Sequence, residues 1–126
     1  MRSPMRMIWV VSALGFSALC ACSDDTKRTT LAEVRSPDGQ WVARINQEQH
    51  FGPGTAGILG IVELQRIVSK GEPVQVLLLE QPDAHSDHLR AMWRSPSHLE
   101  LGYRDAQVDF QAVKAGGIEI ATTEFR

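Results

Sequence analysis

From Leu31 onward, turn-forming residues cut the chain into short apolar runs at close intervals, a punctuation that suits strands and little else. Ser36-Pro37-Asp38-Gly39 is the clearest instance. Proline presets φ, aspartate can accept a hydrogen bond from the backbone ahead, and glycine accepts a positive φ. It predicts a hairpin joining Glu33–Arg35 to Trp41–Ile45, with Trp41, Ala43 and Ile45 on one face and Val42 and Arg44 on the other. Residues His50–Gly57 are glycine-rich and read as a loop. Ile58–Val68 and Pro73–Leu79, separated by Ser69-Lys70-Gly71-Glu72, predict a second hairpin. A helix across Gly57–Lys70, stopped by Gly71 and Pro73, is the alternative. Gly57, Gly60 and the β-branched Ile58, Ile61, Val62 and Ile67 weigh toward strand. Val74, Val76 and Leu78 alternate with Gln75, Leu77 and Leu79, as in a central strand covered on both faces.

Gln81–Asp87 reads as a polar loop, and four further runs follow it. Leu89, Ala91 and Trp93 alternate with Arg90, Met92 and Arg94. Leu99, Leu101 and Tyr103 alternate with Glu100 and Gly102, and Val108, Phe110 and Ala112 with Asp109 and Gln111. Ile118, Ile120 and Thr122 open the last run. Turns at Ser95–His98, Asp105–Ala106 and Gly116–Gly117 predict a meander of four antiparallel strands. The expectation is an all-β fold, a small antiparallel meander or sandwich of about six to seven strands. Trp41, Trp93 and Tyr103 are read as core aromatics.

The N-terminus is organised differently. Arg2 and Arg6 precede Met7–Leu19, an uncharged and mostly apolar stretch. A permanent membrane helix needs roughly 20 apolar residues, so this stretch fits a signal peptide better. Leu19-Cys20-Ala21-Cys22 resembles the lipobox of bacterial lipoproteins: leucine three before the cysteine, a small residue directly before it, then the modified cysteine. Cys22 has Ala21 before it, whereas Cys20 would have Leu19, so cleavage is expected between Ala21 and Cys22. The resemblance implies acyl chains on Cys22, held in the bilayer by about 0.8 kcal/mol per buried methylene. Ser23 after the cysteine implies the outer membrane by enterobacterial sorting rules, with the inner membrane as the alternative. The division expected is a signal peptide over 1–21, a lipidated cysteine and polar tether over 22–30, and a single β-rich periplasmic domain over 31–126. With Cys20 removed and Cys22 alkylated, the mature domain has no disulfide and depends on its core.

Two weaker resemblances concern the domain. Ser36-Pro37-Asp38-Gly39-Gln40-Trp41-Val42-Ala43 is similar to the turn-and-strand of TolB-type propeller blades, but a chain of 126 residues cannot supply four blades of about 40 residues each. The overall layout resembles small bacterial envelope domains of unknown function, through Ser36–Ala43, Gly52–Gly57, Ala91–Trp93 and Leu99–Tyr103. That resemblance implies structure and carries over no catalytic residue.

The whole chain has a formal net charge of −2, and Arg2 and Arg6 fall in the segment expected to be removed. A mildly acidic domain lacks the clustered cations that displace counterions from nucleic acid, which excludes that partner class. Asp83, His85, Asp87 and His88 bring two imidazoles and two carboxylates into one loop, and all four are metal-ligand types. Their spacing lacks the helical His-x-x-x-His context, so no metal and no cofactor is expected. His50, Phe51, Gly52 and Gly54 form a glycine loop without the lysine and serine or threonine that close a phosphate-binding loop. They stand as candidate binding residues. The expected role is therefore a non-catalytic binding or structural module of the cell envelope, held to the membrane by lipid and meeting an envelope protein. The alternatives are a small metal-dependent or hydrolytic enzyme using Asp83–His88, and an inhibitor or immunity-type lipoprotein.

Overall fold

The polar stretch that follows the lipobox does not remain a tether. In the computed structural model, which describes residues 25–52, 57–69 and 71–126, strand β1 already begins at Asp25 and runs to Arg35. Three threonines within 26–30 favour extended backbone, and an edge strand needs few apolar residues. Its side chains instead find polar partners. Thr30 donates to Asn46 Oδ1 at 2.9 Å, the Thr26 hydroxyl meets His50 Nδ1 at 3.1 Å, and Arg28 pairs with Glu63. Only Ser23 and Asp24 separate Cys22 from the sheet. The lipobox, the Ala21/Cys22 cleavage site and Gly54 lie outside the described residues.

Nine strands are present among the described residues: β1, then β2 (Trp41–Phe51), β3 (Gly57–Arg66), β4 (Val74–Gln81), β5 (Leu89–Ser95), β6 (His98–Tyr103), β7 (Gln107–Gln111), β8 (Lys114–Ala115) and β9 (Ile118–Glu124). They form a five-stranded sheet in the order β1-β2-β3-β4-β7 and a four-stranded sheet in the order β5-β6-β9-β8. The fold is all-β as expected, with more strands than the six to seven anticipated. Both early hairpins form, and Gly57–Arg66 is strand rather than helix.

The Ser36–Gly39 turn is built as its residues require. Gly39 sits at φ +71, the Ser36 hydroxyl donates to Asp38 Oδ1 at 2.7 Å, and the Trp41 amide returns to Ser36 Oγ at 3.0 Å. The Asp38 carboxyl is held below its ordinary pKa, first by the Ser36 hydroxyl and then by the Gln40 amide.

The expected four-stranded meander does not form. Residue Asp105, at φ 50, turns the chain out of the four-stranded sheet, and β7 pairs with β4 of the other. The chain then returns through β8, so β9 lies parallel to β6. The Gly116–Gly117 turn does close a hairpin, between β8 and β9, with φ of 57 and 83 at the glycines.

One core joins the two sheets. Ala43, Ile45, Val62, Leu64, Val76, Leu77 and Leu79 come from the first, and Leu89, Leu99, Leu101, Ile118 and Ile120 from the second. Trp41, Trp93 and Tyr103 pack against it half-buried, in line with the core reading. Trp93 Nε1 also donates to the Val34 carbonyl at 2.9 Å, tying the sheets together near the end that carries the Ser36–Gly39 turn. Strand β4 departs from simple alternation. A register shift between Val62 and Glu63 lets Val76 and Leu77 both point into fully buried space. Leu78 is left half-buried and Val74 48% exposed. The bulge changes which face each residue reaches.

Candidate functional site

The strand directions sort the connections to two ends of the sandwich. Asp25, Phe51, Gly57 and Gln81 lie at one end of the five-stranded sheet, by the pairs Asp25↔Phe51, His50↔Gly57 and Ile58↔Gln81. The Pro82–His88 loop and the Arg104–Ala106 turn leave from the same end. The Ser36–Gly39, Ser95–Ser97 and Gly116–Gly117 turns lie at the opposite end.

At the first end, Asp83, Asp87 and His88 engage as a structural lock, to which His85 contributes only backbone. His88 is buried inside a single 3₁₀ turn (Ser86–His88). Its Nδ1 donates to the Arg104 carbonyl at 2.9 Å, and its Nε2 meets Asp83 Oδ1 at 2.6 Å. A carbonyl and a carboxylate both accept, so satisfying both contacts requires a proton on each ring nitrogen. Burial opposes that charge, yet the bonds to Arg104 and Asp83 outweigh it, and the His88 pKa lies above its ordinary value. The Asp83 carboxyl is held below the usual range, first by His88 and then by the His85 amide. The Asp87 carboxyl is held down by the Arg104 guanidinium that pairs with it.

Three of the four candidate metal ligands, Asp83, Asp87 and His88, are thus engaged with one another, with Arg104 and with backbone. Among the described residues, no three His, Cys, Asp or Glu side chains converge on a point that could hold a metal ion. With both nitrogens donating, His88 also has no lone pair to serve as ligand or general base in this arrangement.

Two glutamines that had drawn no attention in the sequence complete the lock. Gln47 Nε2 donates to the Ala84 carbonyl at 3.3 Å, and Gln81 Nε2 lies 3.3 Å from the Asp83 carbonyl. Both side chains are buried on the inner face of the five-stranded sheet. Gly60 makes room for them: a Cβ there would sit 2.3 Å from Gln81 Oε1 and 2.8 Å from Leu89 Cδ1. For Gln47 the available signal was the phase of β2, since it continues the inward series of Ala43 and Ile45; Gln81 lies beyond the β4 bulge, was read as loop, and carried no such signal.

Of the glycine-loop candidates, His50 and Phe51 end β2, and Phe51 is 53% exposed. They line a shallow cleft with Gln49, Ile58, Gln81 and Pro82. Gly52 follows directly.

A second concavity lies at the opposite end, on the four-stranded sheet. It is an open groove of about 420 Å³ whose lining includes His98, Leu99, Val113, Lys114 and Ile120. Val113 stands 73% exposed. His98 Nε2 lies 2.7 Å from Glu119 Oε2, and Arg94 Nε donates to Glu100 Oε2 at 2.5 Å, so charged side chains rim an apolar lining. The neighbouring sheet edge is short of partners. Strand β8 covers β9 only at Ile118 and Glu119, with one more bond from the Ile120 amide to the Val113 carbonyl. Thr122 Oγ1 is buried there without a hydrogen-bond partner among the described residues. No family model, curated protein or solved structure matches this chain.

Proposed function

We propose that the chain is an envelope lipoprotein, cut before Cys22 and tethered through it to the outer membrane, whose β-sandwich is a non-catalytic binding domain. The observation that carries the binding role is the groove at Val113. It lies at the end of the sandwich opposite Asp25, where an anchor at Cys22 would turn it away from the bilayer. Its occupant in this reading is an extended segment of an envelope protein. Such a segment could add to the open edge of β9, bonding to the backbone beyond Ile120 while apolar side chains cover Val113. The Arg94–Glu100 ion pair and the polar contact of His98 with Glu119 form a rim around that contact.

Two measurements test the halves of the reading separately. Intact mass spectrometry of membrane-extracted protein is expected to find an acylated N-terminal Cys22. Cys22→Ala is expected to leave an uncut precursor without the acyl mass, and a processed, unmodified N-terminus elsewhere would overturn the anchor. For the groove, a photo-crosslinking residue at position 113 is expected to trap a protein adduct in cells. The same residue at position 68, where Val68 is 76% exposed, serves as the control. Equal adducts at both positions, or none at 113, would overturn the groove.

A further inference from the structure

We infer that the end of the sandwich carrying Phe51 rests in the interfacial layer of the bilayer, with Phe51 as a second, non-covalent contact to lipid; this rests on the anchor at Cys22 proposed above. The argument is one of reach. From Cys22 to Asp25 there are three Cα–Cα steps, about 11 Å when fully extended. Asp25 is already a paired residue of the sheet, opposite Phe51. Partners across an antiparallel pair lie about 5 Å apart. Phe51 is therefore within about 16 Å of the acylated residue along the shortest extended route. The polar layer of a bilayer is itself about 5–8 Å deep on each side. A domain held on so short a leash stays within a few ångströms of the polar layer even at full extension.

The chemistry of this end suits the same partner. Phe51 is 53% exposed, and the cleft beside it is lined by Gln49, His50, Ile58, Gln81 and Pro82, with no Asp, Glu, Lys or Arg. Inserting the Phe51 ring removes apolar area from water, and the cleft lining beside it brings no fixed charge to desolvate. In the neighbouring loop and turn Asp83 pairs with His88 and Asp87 with Arg104, while Asp105 is exposed to solvent. Trp41 lies at the other end of β2, about 33 Å away at strand spacing.

The test uses the full chain matured in cells, purified with its acyl chains and placed in phosphatidylcholine vesicles with or without bromine on the lipid tails. In Phe51→Trp, the added emission is expected to shift to the blue and to fall by about half in brominated lipid, as for a ring at the headgroup–acyl boundary. Trp41 and Trp93 of the unmodified protein are expected to be unaffected. A nitroxide on Phe51→Cys, whose collisions with oxygen should exceed those with a water-soluble nickel complex, gives the same answer without a new aromatic. Acylated protein whose position 51 is neither quenched nor oxygen-accessible would overturn this orientation and leave the anchor standing. Protein lacking the acyl mass would overturn both.

Discussion

Replacing Leu77 by alanine is expected to lower the free energy of unfolding by about 3–4 kcal/mol, the range for truncating a fully buried leucine. Leu77 is 0% exposed and lies opposite Val62, itself 0% exposed, at the centre of the five-stranded sheet. The cost has two parts: the lost transfer energy of the removed carbons, and a cavity that the surrounding strands can only partly close. Collapse is hindered here because the β4 bulge places Val76 and Leu77 in consecutive buried positions. Moving backbone to fill one site would pull the other out of register. A domain of this size has about 5–15 kcal/mol in total, so the loss is a substantial fraction of its stability. Urea unfolding measures it as a lower midpoint with an unchanged slope. Met92→Ala, at a residue 51% exposed, should change stability by less than about 0.5 kcal/mol and serves as the control. Equal effects from the two would contradict the assigned core.

That bulge also shows where a reading of the residues stops. The turn chemistry at Ser36–Gly39 and Gly116–Gly117 was legible because it is local: glycine's φ and aspartate's hydrogen bonds act within four residues. The strand character of Gly57–Arg66 followed for the same reason, from glycines and β-branched residues in one window. The inward face of β4 was not legible. One unpaired residue inverts the parity of every neighbour on one side of it, and nothing in Val74–Leu79 marks which residue is extra.

Sheet order failed at Asp105 for a related reason. A two-residue turn between apolar runs reads alike whether the next strand pairs with its neighbour or crosses to the other sheet. The parallel pairing of β6 with β9 depends on that choice. The stretch 25–30 misled in the opposite sense. Its lack of apolar residues suggested a tether, yet an edge strand can be held by backbone bonds and polar cross-strand pairs such as Thr30–Asn46. At the loop, the grouping of Asp83 with His88 was visible, but its purpose was not. The second partner of His88 is a main-chain carbonyl of Arg104, and a search for side-chain ligands cannot see main chain.

Raising the pH from 6 to 9 is expected to destabilise the protein through His88, and His88→Gln should remove most of that dependence. The imidazole is buried and must keep both protons to bond Arg104 and Asp83, which places its folded pKa above the ordinary value of 6.5. A raised folded pKa makes the unfolded state the first to release the proton. The stabilisation is then complete below pH 6.5 and is lost as pH climbs through the folded pKa. The size of the loss over this window measures how far folding raises the proton affinity of the ring. Above it, one ring nitrogen would turn a lone pair toward an oxygen acceptor, and the link between the Asp83–His88 loop and the Arg104 turn would open. Asp83 and Asp87, the carboxylates facing the ring, stay ionised throughout this range, so neither supplies the slope. Their own contribution has the opposite sign. Both carboxyls lie below the usual 3.8, so their stabilisation is present above that value and disappears as pH falls through the depressed pKa values. Stability should therefore be greatest in the weakly acid range between these limbs. His88→Gln can keep one of the two bonds at most, and at pH 6 it should cost about 2–3 kcal/mol by leaving the other acceptor unpaired in buried surroundings. At pH 9 its deficit against the unmodified protein should narrow. Urea midpoints at several pH values measure both curves, and parallel curves from pH 6 to 9 would show that His88 is not the doubly protonated link described here. Nitrogen-15 spectra of the ring give an independent check: at pH 6.5 both His88 nitrogens should carry protons.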